Sequence, residues 1–111
     1  MYIAFMSHQT SIKLSEIDDN LKLWRGTKIR LVLAEPYDKD EYWDYMLVYV
    51  PDDSGYMLLV NITPGSPKAG AVFRSKVKID HSKEEAVVKK ADLKKAFGED
   101  FEDCYLIAWD E

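Results

Sequence analysis

Residues 43–62, WDYMLVYVPDDSGYMLLVNI, decide the fold. Two apolar runs flank a turn. In the first, Trp43, Tyr45, Leu47 and Tyr49 fall on one side and Met46, Val48 and Val50 on the other, the two-residue period of a β-strand. The second run, Tyr56–Ile62, is apolar on both sides. Between them, Pro51-Asp52-Asp53-Ser54-Gly55 is built from turn formers, and its glycine permits a positive φ. A link this short joins antiparallel neighbours.

The flanks extend the pattern. Lys28–Ala34 alternates Ile29, Leu31 and Leu33, with Val32 and Ala34 making the second face partly apolar. Thr63-Pro64-Gly65-Ser66 fits a type II turn. Ala71–Ile79 directs Phe73, Val77 and Ile79 inward and Arg74, Lys76 and Lys78 outward, the mark of a half-exposed strand. Residues 28–79 therefore read as a four-stranded antiparallel meander. The apolar run Cys104–Trp109 suits a further strand.

Two short helices complete the expectation. Ser15 is placed to cap a helix over about 16–25, with Glu16, Asp18 and Asp19 near its positive end, Ile17, Leu21 and Trp24 on one face, and Gly26 at the stop. Residues 82–97 hold a capping-box spacing at Ser82 and Glu85. A single helix there would spread its apolar residues round the whole circumference. The better fit is an extended piece at 85–90 and a helix near 93–97, capped by Asp92 and ended by Gly98. Whether 83–91 is helix or strand stays open. The expected fold is α+β, one domain over 1–111, with a mostly antiparallel sheet of about four to five strands; a small SH3-like barrel is the alternative.

The chain has 111 residues and a net charge of −5. One cysteine excludes an internal disulfide framework. No apolar run is long enough to span a membrane, and Met1–Met6 is a poor secretory signal, so a cytoplasmic location is expected. The charge is divided. Residues 1–34 carry a net +2, residues 35–55 a net −6, residues 68–97 a net +5 and residues 99–111 a net −6. An acidic total argues against nucleic acid as the partner, because phosphate contacts need a basic footprint. Either the blocks neutralise one another across the surface, or an acidic face steers a basic partner.

No motif carries catalytic chemistry. Asp80-His81-Ser82 has the residue types of a hydrolase triad, but adjacent side chains point apart and cannot form one. His8 lies in a polar segment. Cys104 stands among Glu102, Asp103 and Tyr105, where carboxylates oppose thiolate formation. A calcium loop starting at Asp38 would have Asp40 in place, but Trp43 stands where glycine is needed and Tyr49 where glutamate is needed. The loop Pro64–Gly70 lacks the Gly-Lys-Ser/Thr ending of a phosphate-binding loop. No metal site, cofactor or catalytic residue is assigned.

The stretch Tyr37–Tyr45 interleaves acids with large aromatics. Aromatics anchor interfaces through contact area, and carboxylates pair with Lys or Arg across them. Asp38, Asp40, Glu41, Tyr42, Trp43 and Asp44 are therefore the candidate partner-binding residues, with Asp52 and Asp53 secondary. Two other classes of function stay open. One is a small enzyme using Glu35 or Asp38 in a cleft. The other is an adaptor that pairs through an exposed sheet edge. A monomer or weak dimer is expected.

Pro36-Tyr37, Tyr42-Trp43-Asp44-Tyr45-Met46-Leu47-Val48, Pro51-Asp52-Asp53, Gly55-Tyr56 and Lys68-Ala69-Gly70 together resemble a group of small acidic bacterial immunity proteins. These accompany polymorphic toxins, including those of contact-dependent inhibition systems. The resemblance spans about residues 23–73. It implies a non-enzymatic cytoplasmic protein that binds and neutralises one cognate toxin. A basic nuclease would suit the acid–aromatic segment, which would occlude the toxin's active site or substrate path.

Overall fold

A computed structural model describes residues 9–32, 42–51, 54–73, 75–80 and 86–109. Among them are eight strands: β1 (Gln9–Lys13), β2 (Leu23–Trp24), β3 (Lys28–Val32), β4 (Tyr42–Tyr49), β5 (Tyr56–Asn61), β6 (Val77–Lys78), β7 (Val87–Val88) and β8 (Cys104–Trp109). One α-helix, α1 (Lys90–Phe97), precedes β8, and 3-10 turns occupy Leu14–Glu16 and Gly98–Asp103. Six strands form an antiparallel sheet in the order β1-β8-β3-β4-β5-β6, and β2 pairs with β7. The large sheet curls into a half-barrel.

This corrects the expected α+β domain of four to five strands and two helices. The described chain is mostly sheet with a single short helix. The meander order holds from β3 to β6, but the sheet does not end at β3. β8 inserts beside β3, with Leu31 opposite Cys104, and β1 adds outside it, with Ile12 opposite Leu106.

The helix expected at 16–25 is absent. Its apolar stripe was Ile17, Leu21 and Trp24, yet the side chains that bury are Leu14, Ile17 and Leu23, while Leu21 and Trp24 stay exposed. A helix this short has little stability of its own, so tertiary contacts decide. Here they favour an irregular path. Asp18, read as a complement to a helix dipole, instead accepts the Asn20 N–H at 2.8 Å and shapes a turn. Lys90 Nζ donates to the Ser15 and Ile17 carbonyls at 2.8 and 2.9 Å, groups that a continuing helix would have bonded itself.

Residues 71–79 are not one strand. Val72 bridges Val60, and Val77 pairs with Met57, so five steps along one chain face three along the other. Two extra residues are accommodated between them, in the manner of a bulge, and the ladder breaks. Phe73, Val77 and Ile79 are nonetheless all buried. Of the extended piece expected at 85–90, Val87–Val88 is strand β7, and Lys90 already opens α1. Asp92 lies within the first turn of α1 rather than capping it; the N-cap is Lys89, with no side-chain hydrogen bond.

The concave face carries the core: Ile29 and Leu31, Tyr45 and Leu47, Met57 and Leu59, closed by Leu93, Phe97 and Phe101. Tyr45, Phe73 and Phe97 form an aromatic cluster, with ring centroids 5.2 Å apart for Tyr45–Phe73 and 5.0 Å for Phe73–Phe97. That contact ties α1 to the middle of the sheet.

Candidate functional site

The start of β4 belongs to the acid–aromatic stretch, and strand alternation sends its side chains to opposite faces. Tyr42 and Asp44 point to the outer face; Trp43 points inward. Trp43 is half-buried against the core, and Lys68 Nζ lies 5.2 Å from its ring centroid. Tyr42 is exposed.

Asp44 is buried and fully engaged. It stands opposite Arg30 in the β3–β4 register. Arg30 Nε donates to Asp44 Oδ1 at 2.8 Å, and Arg30 Nη2 donates to Oδ2 at 3.1 Å. The guanidinium carbon is also 3.9 Å from the centre of the Tyr42 ring, a cation–π contact. The hydrogen bond to Asp44 raises the Arg30 pKa further, against the opposing effect of burial. The backbone is equally committed: the Asp44 N–H donates to Thr63 Oγ1 at 2.8 Å, and the Ile62 N–H donates to the Asp44 carbonyl at 2.7 Å. Asp44 is thus a structural anchor between strands, and Arg30, its partner, was not singled out by sequence reasoning.

Asp38, Asp40, Glu41, Asp52 and Asp53 lie outside the described residues, as do Glu35, His8 and His81. Connectivity still orders the binding candidates. Residues 33–41 link Val32 to Tyr42, which are partners at one end of the β3–β4 pair. Asp52 and Asp53 follow β4 at its other end. Between these two attachment points, the eight-residue strand β4 spans about 24 Å. The eight candidates do not attach to the sheet at one place.

A second acidic segment reaches the start of β4. The 3-10 turn Gly98–Asp103 exposes Glu99, Glu102 and Asp103 and leads into Cys104. Cys104 lies opposite Leu31, and Leu31 lies opposite Trp43. The acidic turn therefore enters the sheet two strands from the start of β4, about 10 Å away. The acids of 99–103 and Tyr42 lie at the same end of the sheet. Asp110 and Glu111 lie outside the described residues. The charge of the acidic turn was plain in the sequence; its neighbour depends on the insertion of β8.

Cys104 is buried, and its Sγ lies 3.3 Å from the Asp100 carbonyl oxygen. Burial first, and then the charges of Asp100 and Asp103, push its pKa up to about 12. The thiol stays protonated at neutral pH and is no nucleophile. Among the described residues, no group of three or more His, Cys, Asp or Glu is placed to hold a metal ion, and no helix is long and apolar enough to cross a membrane. No protein-family model matches the chain, and neither a curated protein nor a solved structure resembles it at a significant level.

Proposed function

We propose that this protein binds and neutralises a basic bacterial toxin, as small acidic immunity proteins do. The observation that carries the reading is the strand register that brings the acidic turn 98–103 beside the entry to β4. The exposed acids of 98–103, with the acids that precede Tyr42 in the sequence, steer a basic partner toward that end and speed association. Tyr42, exposed there and held by Arg30, supplies an aromatic anchor of fixed orientation. Neutralisation follows by covering the toxin's active site or the path of its substrate.

The test is co-expression with a basic toxin encoded beside the gene, together with association kinetics of the purified pair. Protection of growth and a tight, salt-sensitive complex are expected. The double variants Asp40→Lys/Glu41→Lys and Glu102→Lys/Asp103→Lys each slow association at low salt by about tenfold while leaving folding intact. Association that is unchanged in both double variants removes this surface from the mechanism, and no protection against any neighbouring toxin removes the function.

A further inference from the structure

The basic block at 68–97 is not spread evenly. The strand β6 and α1 pack together and gather four of its lysines round two adjoining cavities, of about 320 and 240 Å³. Lys76, Lys78 and Lys95 line the larger one, beside Tyr56 and Ser75. Lys78, Lys89 and Lys95 line the smaller, with Asp80. Asp92 lies in the wall of both. Four lysines and two aspartates thus line a concave surface, with a surplus of positive charge.

Asp92 is the informative residue. It is only 9% exposed, yet its carboxylate forms no hydrogen bond or ion pair among the described residues. Its place in the first turn of α1 suits the helix dipole, which stabilises the charge but supplies no donor. Buried polar groups in native proteins are bonded, and an unbonded carboxylate carries a desolvation cost. The lysines call for an anion. Asp92 calls for a hydrogen-bond donor on the same ligand.

We infer that these cavities bind a small phosphate ester bearing hydroxyl groups, of the sugar-phosphate class. Lys76, Lys78, Lys89 and Lys95 hold the phosphate. Asp92 accepts a hydrogen bond from a ligand hydroxyl. The size of the paired cavities matches small-molecule sites. The site lies on β6 and α1, away from the start of β4, and is independent of toxin binding.

Isotope-labelled full-length protein titrated with ribose 5-phosphate, inorganic phosphate and ribose tests the inference by amide chemical shifts. Ribose 5-phosphate gives saturable shifts at Lys78, Asp92 and Lys95 and binds about tenfold more tightly than inorganic phosphate, the worth of one charge-assisted hydrogen bond. Ribose alone gives none. Asp92→Ala removes the acceptor and brings the two phosphates to similar affinity without weakening inorganic phosphate, and Lys78→Gln/Lys95→Gln weakens both. Equal affinity for the two phosphates in the unaltered protein overturns the inference, because it marks a mere anionic patch. So does a preference that survives Asp92→Ala, or shifts with an oligonucleotide and none with ribose 5-phosphate.

Discussion

Arg30 and Asp44 face each other across β3 and β4 and close a two-bond ion pair, at 2.8 and 3.1 Å, with Tyr42 against the guanidinium. The pair converts one member of an acidic surface stretch into a fastener. Its side chains are 25% and 13% exposed, so it is screened far less than a surface bridge.

Asp44→Ala leaves the guanidinium without its carboxylate and removes two charge-assisted bonds. A loss of about 2 kcal/mol in unfolding free energy is expected from urea denaturation. If Asp44 is a fastener and not a contact, the folded variant still associates with a toxin partner at the unaltered rate. A tenfold slower association with unchanged stability would reverse that assignment.

Lys90→Met keeps the aliphatic stem and removes the donors to the Ser15 and Ile17 carbonyls. Stability falls by about 1–3 kcal/mol, and amide exchange accelerates at Ile17 and Leu21, whose own N–H groups close the turns there. The neighbouring Asp19 is 87% exposed, so Asp19→Asn changes stability by less than about 0.5 kcal/mol.

The Cys104 thiol makes stability depend on alkaline pH. The folded protein holds this proton more tightly than the unfolded chain, with a pKa of about 12 against 9.0. Its contribution is complete below pH 9 and declines as pH rises toward 12. Unfolding free energy measured across that interval falls more steeply for the unaltered protein than for Cys104→Ala. At neutral pH the native thiol resists alkylation until the protein unfolds.

Phe97→Ala opens a cavity between α1 and the sheet, where Tyr45 and Phe73 lose an aromatic neighbour. A cost of about 3–5 kcal/mol is expected by chemical denaturation. A smaller value would mean that α1 can collapse onto the sheet.

The hairpin of β4 and β5 was legible because its determinants are local: alternation in 43–50, a turn rich in Asp, Ser and Gly, and a second apolar run. The segment 14–24 was not. Ile17, Leu21 and Trp24 satisfy a helical spacing, but Leu23 pairs with Val88, and Lys90 bonds the carbonyls of Ser15 and Ile17, more than sixty residues away in sequence. Asp44 failed as a surface acid for a related reason. Alternation shows that it shares a face with Tyr42, but only the register reveals that Arg30 stands opposite. For the lysine-lined cavities, the charge of residues 68–97 was visible, whereas the approach of Lys78 to Lys95 is a product of α1 packing on β6.

The position of β8 has a consequence for how the molecule is made. Every strand that flanks it, β1 and β3, leaves the ribosome first, and each then presents an unpaired edge until residues 104–109 emerge. The nascent chain can close the β3–β4–β5 hairpins early, but β1 has no place to dock before the last described strand exists. Closure of the complete sheet therefore waits for residues 104–109 and is dominated by pairings distant in sequence, which are slow to form. A product cut short before Cys104 lacks more than one strand: it leaves β1 unanchored and the edge of β3 open to pairing with another chain.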